Sequence, residues 1–378
     1  VNVGFEPQWL LIKGASTGSG LGSWQIIDSM RNAHLKPNSD AAESSTVNFD
    51  FTSRGFTPTT YYDGTLIYVA IRRPNKPASE LAATGLFDTN LTTSDSLVQT
   101  SLTRTDFNIQ KARGDSTYFF AQSRLTGNVK YLRPNATTAE ADYSTSDPVG
   151  VFDTQGQVRS YTGSESNVIW SFMRAKGFFD VVTYDGTGSA RTITHNLGAV
   201  PELMIAKSRT ESQPWVTYDA ANGATKYARL ESQNAVATYS GIWNDTAPTS
   251  SVFSTGGDAY INKSGQSYII YLFATVAGIS KVGSYTGTGS DLNVDCGFRA
   301  GARFVLIKRT DSTGDWYLYD SARGIVSGND PYLVLNSATA EVTNTDYIDP
   351  LSSGFTVTSS APADLNASSG TYIFLAIA

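Results

Sequence analysis

Cysteine occurs once, at Cys296, so no disulfide can form within the chain. A secreted animal domain of this make-up would usually carry several. Histidine occurs twice, at His34 and His195. That excludes a multi-histidine metal site and leaves few ways to assemble a nucleophile–histidine–acid set. Neither histidine lies beside a distinctive serine or cysteine motif. Charged residues make up only 16% of the 378, and the net charge is −6. No basic face is available to neutralise phosphates, so no nucleic-acid partner is expected. No apolar run is long enough for a membrane-crossing helix, and no membrane insertion is expected. A secretory signal is also missing. The first residue is Val1 and not methionine, as expected of a fragment or a processed product.

What is present is aromatic and polar. Aromatics reach 12%, with 20 tyrosines, among abundant Ser, Thr, Asn and Gly. This composition fits an all-β protein with many polar turns. Its order comes from repetition. An apolar strand ending in lysine recurs as WLLIK to Lys13, FNIQK to Lys111, LMIAK to Lys207 and FVLIK to Lys308, at spacings of 98, 96 and 101 residues. A polar stretch follows each, and then an aromatic opens a second strand: Trp24, Tyr118, Trp215 or Trp316. Four residues on stand Asp28, Gln122, Asp219 and Asp320. Next come Asn38 and Glu43, Asn135 and Glu140, Asn336 and Glu341, with Glu231 and Val236 in the third copy. Glycine turns (FTSRGF, FDTQGQ, FSTGGD, LSSGF) lead to closing strands such as YIIYLFATV and YIFLAIA.

The pattern predicts a tandem array of about four β-sandwich-like repeats of about 100 residues, over 1–77, 78–175, 176–278 and 279–378. Each is expected to bury its own core, as beads or as sandwiches side by side. VNVGF at the N-terminus matches VDCGF at 294–298, so the first copy is expected to lack its opening strand. Residues 74–106 read as a linker plus a divergent first strand. The glycine-rich STGSGLGSW (16–24) raises a phosphate loop as a possibility, but no lysine follows its last glycine. It occupies the place of RTDSTGD in the fourth copy and reads as a longer hairpin connection.

The run TGTGS…GF…LIKRTDSTGDWYLYDSARG…LN…AE…SGFTV…NASSGTYIFLAIA resembles a repeat in virion structural proteins of tailed, especially marine, bacteriophages. The resemblance is sharp in the third and fourth copies and degraded in the second. It implies a tail, fibre or particle-surface protein, made in the bacterial cytoplasm and released by lysis. No enzymatic activity, cofactor or catalytic residue comes with it. By analogy with fibres it implies a homo-oligomer, with a trimer as the first choice. Other virion proteins, and a glycan or protein of the host surface, are the implied partners. A capsid decoration protein and a carbohydrate-binding module of a larger adhesin are the alternatives; a depolymerase ranks below both.

Three constellations could carry chemistry. Trp24 with Asp28, Trp215 with Asp219, and Trp316 with Asp320 could stack and hydrogen-bond a sugar. Residues four apart share one face of a strand, however, so each aromatic can simply pack inward while the acid caps the next turn. The structural reading is preferred. It predicts about 3–5 kcal/mol lost on Trp316→Ala and about 1 kcal/mol on Asp320→Ala. The four lysines are expected to make surface or interface salt bridges with the recurring glutamates, of small energetic value. The acids of Asp311 to Asp315 could hold calcium, but the full helix–loop–helix ligand pattern is missing, and no metal is expected.

Overall fold

The computed structural model describes residues 1–16, 21–29, 33–46, 48–59, 64–72, 77–93, 97–127, 129–143, 157–159 and 166–378. The tip of the first hairpin loop and most of the FDTQGQ turn lie outside the described residues. Strands hold 43% of the chain and helices 4%, so the protein is all-β. The strands are numbered along the chain and grouped into units 1 to 4 by their lysine strands.

Unit 1 contributes β1 (Pro7–Gly14), β2 (Gln25–Asp28), β3 (Phe49–Thr52), β4 (Gly55–Pro58) and β5 (Leu66–Arg72). After two short 3-10 turns, unit 2 contributes β6 (Phe87–Thr92), β7 (Leu97–Gln99), β8 (Phe107–Ala112), β9 (Phe120–Ser123), β10 (Lys130–Tyr131), β11 (Ala141–Asp142), β12 (Gln157–Arg159) and β13 (Asn167–Phe172). Unit 3 contains β14 (Phe179–Asp185), β15 (Arg191–Thr194), β16 (Leu203–Ser208), β17 (Val216–Asp219), β18 (Lys226–Arg229), β19 (Ala237–Thr238), the helical turn α1 (Ser240–Trp243), β20 (Val252–Thr255) and β21 (Ser267–Phe273). Unit 4 contains β22 (Ser280–Thr286), β23 (Leu292–Asp295), β24 (Phe304–Arg309), β25 (Trp316–Asp320), β26 (Leu333–Val334), β27 (Ile348–Leu351), β28 (Gly354–Val357), α2 (Ala363–Asn366) and β29 (Thr371–Ile377).

One antiparallel order recurs. The main sheet runs β22-β29-β24-β25-β26 in unit 4, β14-β21-β16-β17-β18-β19 in unit 3 and β6-β13-β8-β9 in unit 2. First and last strands are neighbours, and the lysine strand lies between the last strand and the aromatic strand. A second, smaller sheet pairs β23 with β28, or β15 with β20, across the sandwich. In unit 1 the main sheet is only β2-β1-β5. Asn2 bridges Gly55 as Asp295 pairs with Gly354, so the N-terminal residues supply the second-sheet strand.

Turn glycines keep this geometry. In the equivalent turns DGTGS (185–189) and TGTGS (286–290), a Cβ at Gly186 would fall 2.0 Å from the Lys263 carbonyl oxygen, and one at Gly287 2.3 Å from that of Ala367. Gly188 and Gly289 have φ of +76° and +71°, where L-residues are strained.

Pairing corrects one sequence assignment. Phe304 to Lys308 pair with Asp320 back to Trp316, and Leu203 to Ala206 with Asp219 back to Val216. In unit 2, Phe107 to Gln110 pair with Ser123 back to Phe120. The counterpart of Trp316 is therefore Phe119, not Tyr118, and that of Asp320 is Ser123, not Gln122. Tyr118 is exposed instead, and Gln122 accepts a hydrogen bond from Gln110 at 3.0 Å.

The expectation of self-contained beads is also corrected. Three of the units do have an inner core of their own: Leu10, Ile12 and Phe56 in unit 1, Met204, Trp243 and Phe253 in unit 3, and Val305, Phe355 and Phe374 in unit 4. The outer faces of the main sheets in units 2, 3 and 4 then meet in one further core. Trp170 and Phe172, Tyr271 and Phe273, and Leu375 and Ile377 all belong to it. The rings of Phe107 and Tyr271 lie 4.2 Å apart, and those of Phe87 and Phe304 5.2 Å apart. Burying side chains of this size contributes about 1.5–3 kcal/mol each. A large part of the stabilising burial is thus shared between units.

Candidate functional site: the ring of three unit junctions

The polar contacts around the shared core repeat in a closed cycle. The Glu140 N–H of unit 2 donates to the Arg209 carbonyl of unit 3 at 2.7 Å, and the Val236 N–H of unit 3 to the Thr310 carbonyl of unit 4 at 3.0 Å. The Glu341 N–H of unit 4 donates to the Arg113 carbonyl of unit 2 at 2.8 Å, closing the cycle. These are register-equivalent positions, since Tyr131, Tyr227 and Tyr332 pair with Ala141, Ala237 and Val342, one residue beyond the donors. A head-to-tail contact that closes after three steps is what a threefold arrangement produces.

Side chains strengthen two junctions. Glu140 holds the Arg209 guanidinium at 2.8 and 2.9 Å, and Glu341 holds that of Arg113 at 2.7 to 3.2 Å. The partner of each glutamate is thus an arginine two residues beyond the lysine, on a neighbouring unit. The expected lysine–glutamate surface bridges are corrected. Lys111, Lys207 and Lys308 are at most 1% exposed. The Lys308 ammonium donates to the carbonyls of Gly314 at 2.5 Å and of Gln233, in unit 3, at 3.0 Å. That of Lys207 reaches the carbonyl of Thr137 in unit 2, and of Ser208 and Glu211 in its own hairpin. That of Lys111 donates to the Asp115 carbonyl at 2.6 Å. In unit 1, Lys13 is half-buried and lies over the Trp24 ring.

Burial pushes each of the three buried lysines down to about 8, against the opposing pull of nearby acids. An unfolded lysine keeps its proton to about pH 10.4. Between these values the unfolded chain binds more protons than the folded one, so stability rises with pH. Above about pH 9 the raised pKa of buried Cys296 acts with the opposite sign. Denaturant midpoints measured at about pH 7 and about pH 9 are expected to increase, and Lys308→Met should remove part of that increase. A midpoint that is flat or falls over this window would contradict the assignment.

The tryptophan–aspartate pairs do not present a joint groove. Trp215 and Trp316 are each 1% exposed. The Trp316 indole N–H donates to the Arg229 carbonyl of unit 3 at 3.0 Å, and that of Trp215 to the Arg133 carbonyl of unit 2 at 2.9 Å. Their backbone N–H groups go to Asn336 and Glu231, which explains the recurring residue at those positions. Asp219 accepts from the backbone N–H and side chain of Asn222, and burial raises its pKa. Asp320 accepts from the Arg323 N–H at 2.9 Å, the Arg323 guanidinium at 2.5 Å and the Trp170 indole of unit 2 at 3.0 Å. Trp316 and Asp320 therefore reach two different neighbours. Trp24 and Asp28 are half-buried in unit 1.

The remaining candidates are also engaged. His34 Nδ1 lies 2.9 Å from the Thr46 carbonyl oxygen, and His195 Nε2 3.0 Å from that of Thr249. Asp311 pairs with Arg309, and Asp315 accepts from Gln233 and Asn336. Among the described residues, no three His, Cys, Asp or Glu side chains gather as a metal site would need. Sequence reasoning missed Asn262 and Asn366. Both are buried, and both donate to a carbonyl of the DGTGS or TGTGS turn while accepting from Thr187 and Thr288. The asparagine of INKSG and LNASSG was the available signal. The ion cluster of Glu6 with Arg174 and of Arg174 with Asp180, which ties unit 1 to units 2 and 3, had none. A cleft of about 420 Å³ opens at this meeting of units 1, 2 and 3, with Asp28, His34, Lys130 and Tyr184 among its walls.

The fold and junctions define an all-β protein in which three sandwich-like units close into a ring about a common core. Residues 162–378 match the family described as "Domain of unknown function (DUF7483)", which is more than half of the chain, and the chain belongs to that family. No curated protein matches it. No helix among the described residues is long and apolar enough to cross a membrane.

Proposed function

We propose that the chain is a non-enzymatic structural protein of a bacteriophage virion, a tail-fibre, tail-tip or receptor-binding component. It acts by assembly and adhesion, as an oligomer together with other virion proteins. The observation that carries this reading is the fate of the recurring polar groups. Lys207, Lys308, Trp215, Trp316, Asp320, Glu140 and Glu341, all at recurring positions, are spent on holding one unit to the next. The resemblance of the third and fourth copies to virion repeats points the same way.

A capsid decoration role uses the same scaffold at another place on the particle. Carbohydrate binding is the reading favoured by the cleft, with its aromatic and acidic walls. Mass spectrometry and particle imaging of purified virions of the encoding phage test the proposal. The expected result is the chain in the particle, with density at the tail; density on the capsid selects the decoration role. Absence from complete particles would overturn the virion reading.

A further inference from the structure

Unit 1 carries the same outer face as the other three units, but no other sheet among the described residues covers it. By strand register Ile67, Val69 and Ile71 of β5 correspond to Ile373, Leu375 and Ile377 of β29. The latter are 4%, 2% and 0% exposed, whereas Ile67, Val69 and Ile71 are 45%, 53% and 53% exposed. Trp9, Leu11 and Trp24 complete the face at the positions of Phe304, Leu306 and Trp316. Contiguous exposed apolar surface on a soluble protein marks an interaction site. On the inner side of the same strands Leu10 and Ile12 are fully buried, and Tyr68 of β5, 41% exposed, meets the Phe56 ring.

We propose that this face joins unit 1 to the unit 1 of two further copies of the chain, in a ring of three like that formed by units 2, 3 and 4. Three observations select the copies as occupants. Within one chain, units 2 to 4 already close their ring, so none of them has an outer face left for unit 1. Unit 1 is tied to that ring through Glu6 to Arg174 and through the Ser53 carbonyl, which accepts from Asn196 at 3.1 Å. These contacts leave Ile67, Val69 and Ile71 of the outer face exposed. The edge groups of the cycle are also in place. His34 pairs with Ser44 as Tyr131 pairs with Ala141, which puts Glu43 at the donor position of Glu140. Ala15 stands two residues beyond Lys13, at the acceptor position of Arg113, Arg209 and Thr310. Both are exposed. Ala15 brings no cation, but the Val236–Thr310 junction closes without an ion pair as well.

The inference deepens the oligomeric part of the proposed function, and it stands whether or not the chain belongs to a virion. Its test reads association of the purified chain alone. Sedimentation of residues 1–378 at micromolar concentration is expected to give three times the monomer mass. Val69→Asp should abolish the trimer while leaving the circular dichroism unchanged. Val326→Asp, at an exposed site of unit 4, should leave the trimer intact. The double variant Ala15→Cys with Glu43→Cys should cross-link between chains into a covalent trimer, because backbone atoms at the equivalent junctions approach to 2.7–3.0 Å. A monomer, a dimer, or a trimer that survives Val69→Asp would overturn the inference.

Discussion

Asp320→Ala is expected to destabilise the protein by about 3–5 kcal/mol, the range for removing one partner of a buried ion pair. Seen as a turn cap alone, the carboxylate would be worth about 1 kcal/mol, and that was the expectation from sequence. The structure gives it two further duties. It neutralises the Arg323 guanidinium, whose side chain is fully buried, at 2.5 Å. It also accepts the Trp170 indole N–H from unit 2. Without it, Arg323 keeps Glu341 at 3.0 Å and the Leu318 carbonyl, and the Trp170 N–H is left buried and unpaired. An unsatisfied buried donor costs about 1–3 kcal/mol. Asp320→Asn keeps one acceptor oxygen, enough for the Arg323 Nε and Trp170 indole N–H groups that share Oδ2, but it sets an NH2 donor against the Arg323 backbone N–H and removes the charge, so it should fall between wild type and alanine. Urea melts of the full chain separate these accounts. A loss near 1 kcal/mol for the alanine variant, with asparagine at wild-type stability, would return Asp320 to the role of a cap.

The sequence made the fold class legible because strand period, turn chemistry and the lysine spacing all point to one repeating sandwich hairpin. It did not make the ring legible, although a sign of it was present. NVIWSF, YIIYLF and TYIFLAI are apolar on successive residues, not on alternate ones. A strand of that kind is buried on both faces, and one sandwich core covers only one of them. The lysines were misplaced for a related reason. A lysine at a strand end is usually a solvated charge, and the carbonyls that receive Lys308 and Lys207 come partly from units about 70 residues away in sequence. Unit 2 slipped by one residue because YFF offers three aromatics at the start of its second strand, although the eight-residue step from Lys207 to Trp215 and from Lys308 to Trp316 selects Phe119 after Lys111. The pairing of Gln110 with Phe120 makes the same choice. The tryptophan–aspartate pairs were found as recurring positions, but the partners of the Trp215 and Trp316 indoles, and the Trp170 indole that reaches Asp320, lie across the junctions, where no local pattern points.

Trp316→Ala is expected to cost about 3–5 kcal/mol, as large-to-small changes in a packed core do. The indole lies in the core shared by units 2, 3 and 4, so the cavity would open at a junction and not inside one sandwich. Its N–H bond to Arg229 would be lost as well, leaving that carbonyl without the indole, for a further net effect of about 1 kcal/mol. The comparison that isolates the ring is Trp24→Ala. Trp24 holds the same strand position in unit 1 but is only half-buried, so its removal from the isolated chain should cost clearly less. If three unit 1 sheets pack together in the assembled protein, the Trp24→Ala penalty should grow with protein concentration, whereas that of Trp316→Ala should not, because only the first indole would lie between chains. Thermal melts at several concentrations measure both. Unchanged melting of the Trp316→Ala variant, together with lost binding to host cells, would instead mark Trp316 as part of a receptor site and remove the basis for treating the recurring tryptophans as junction residues.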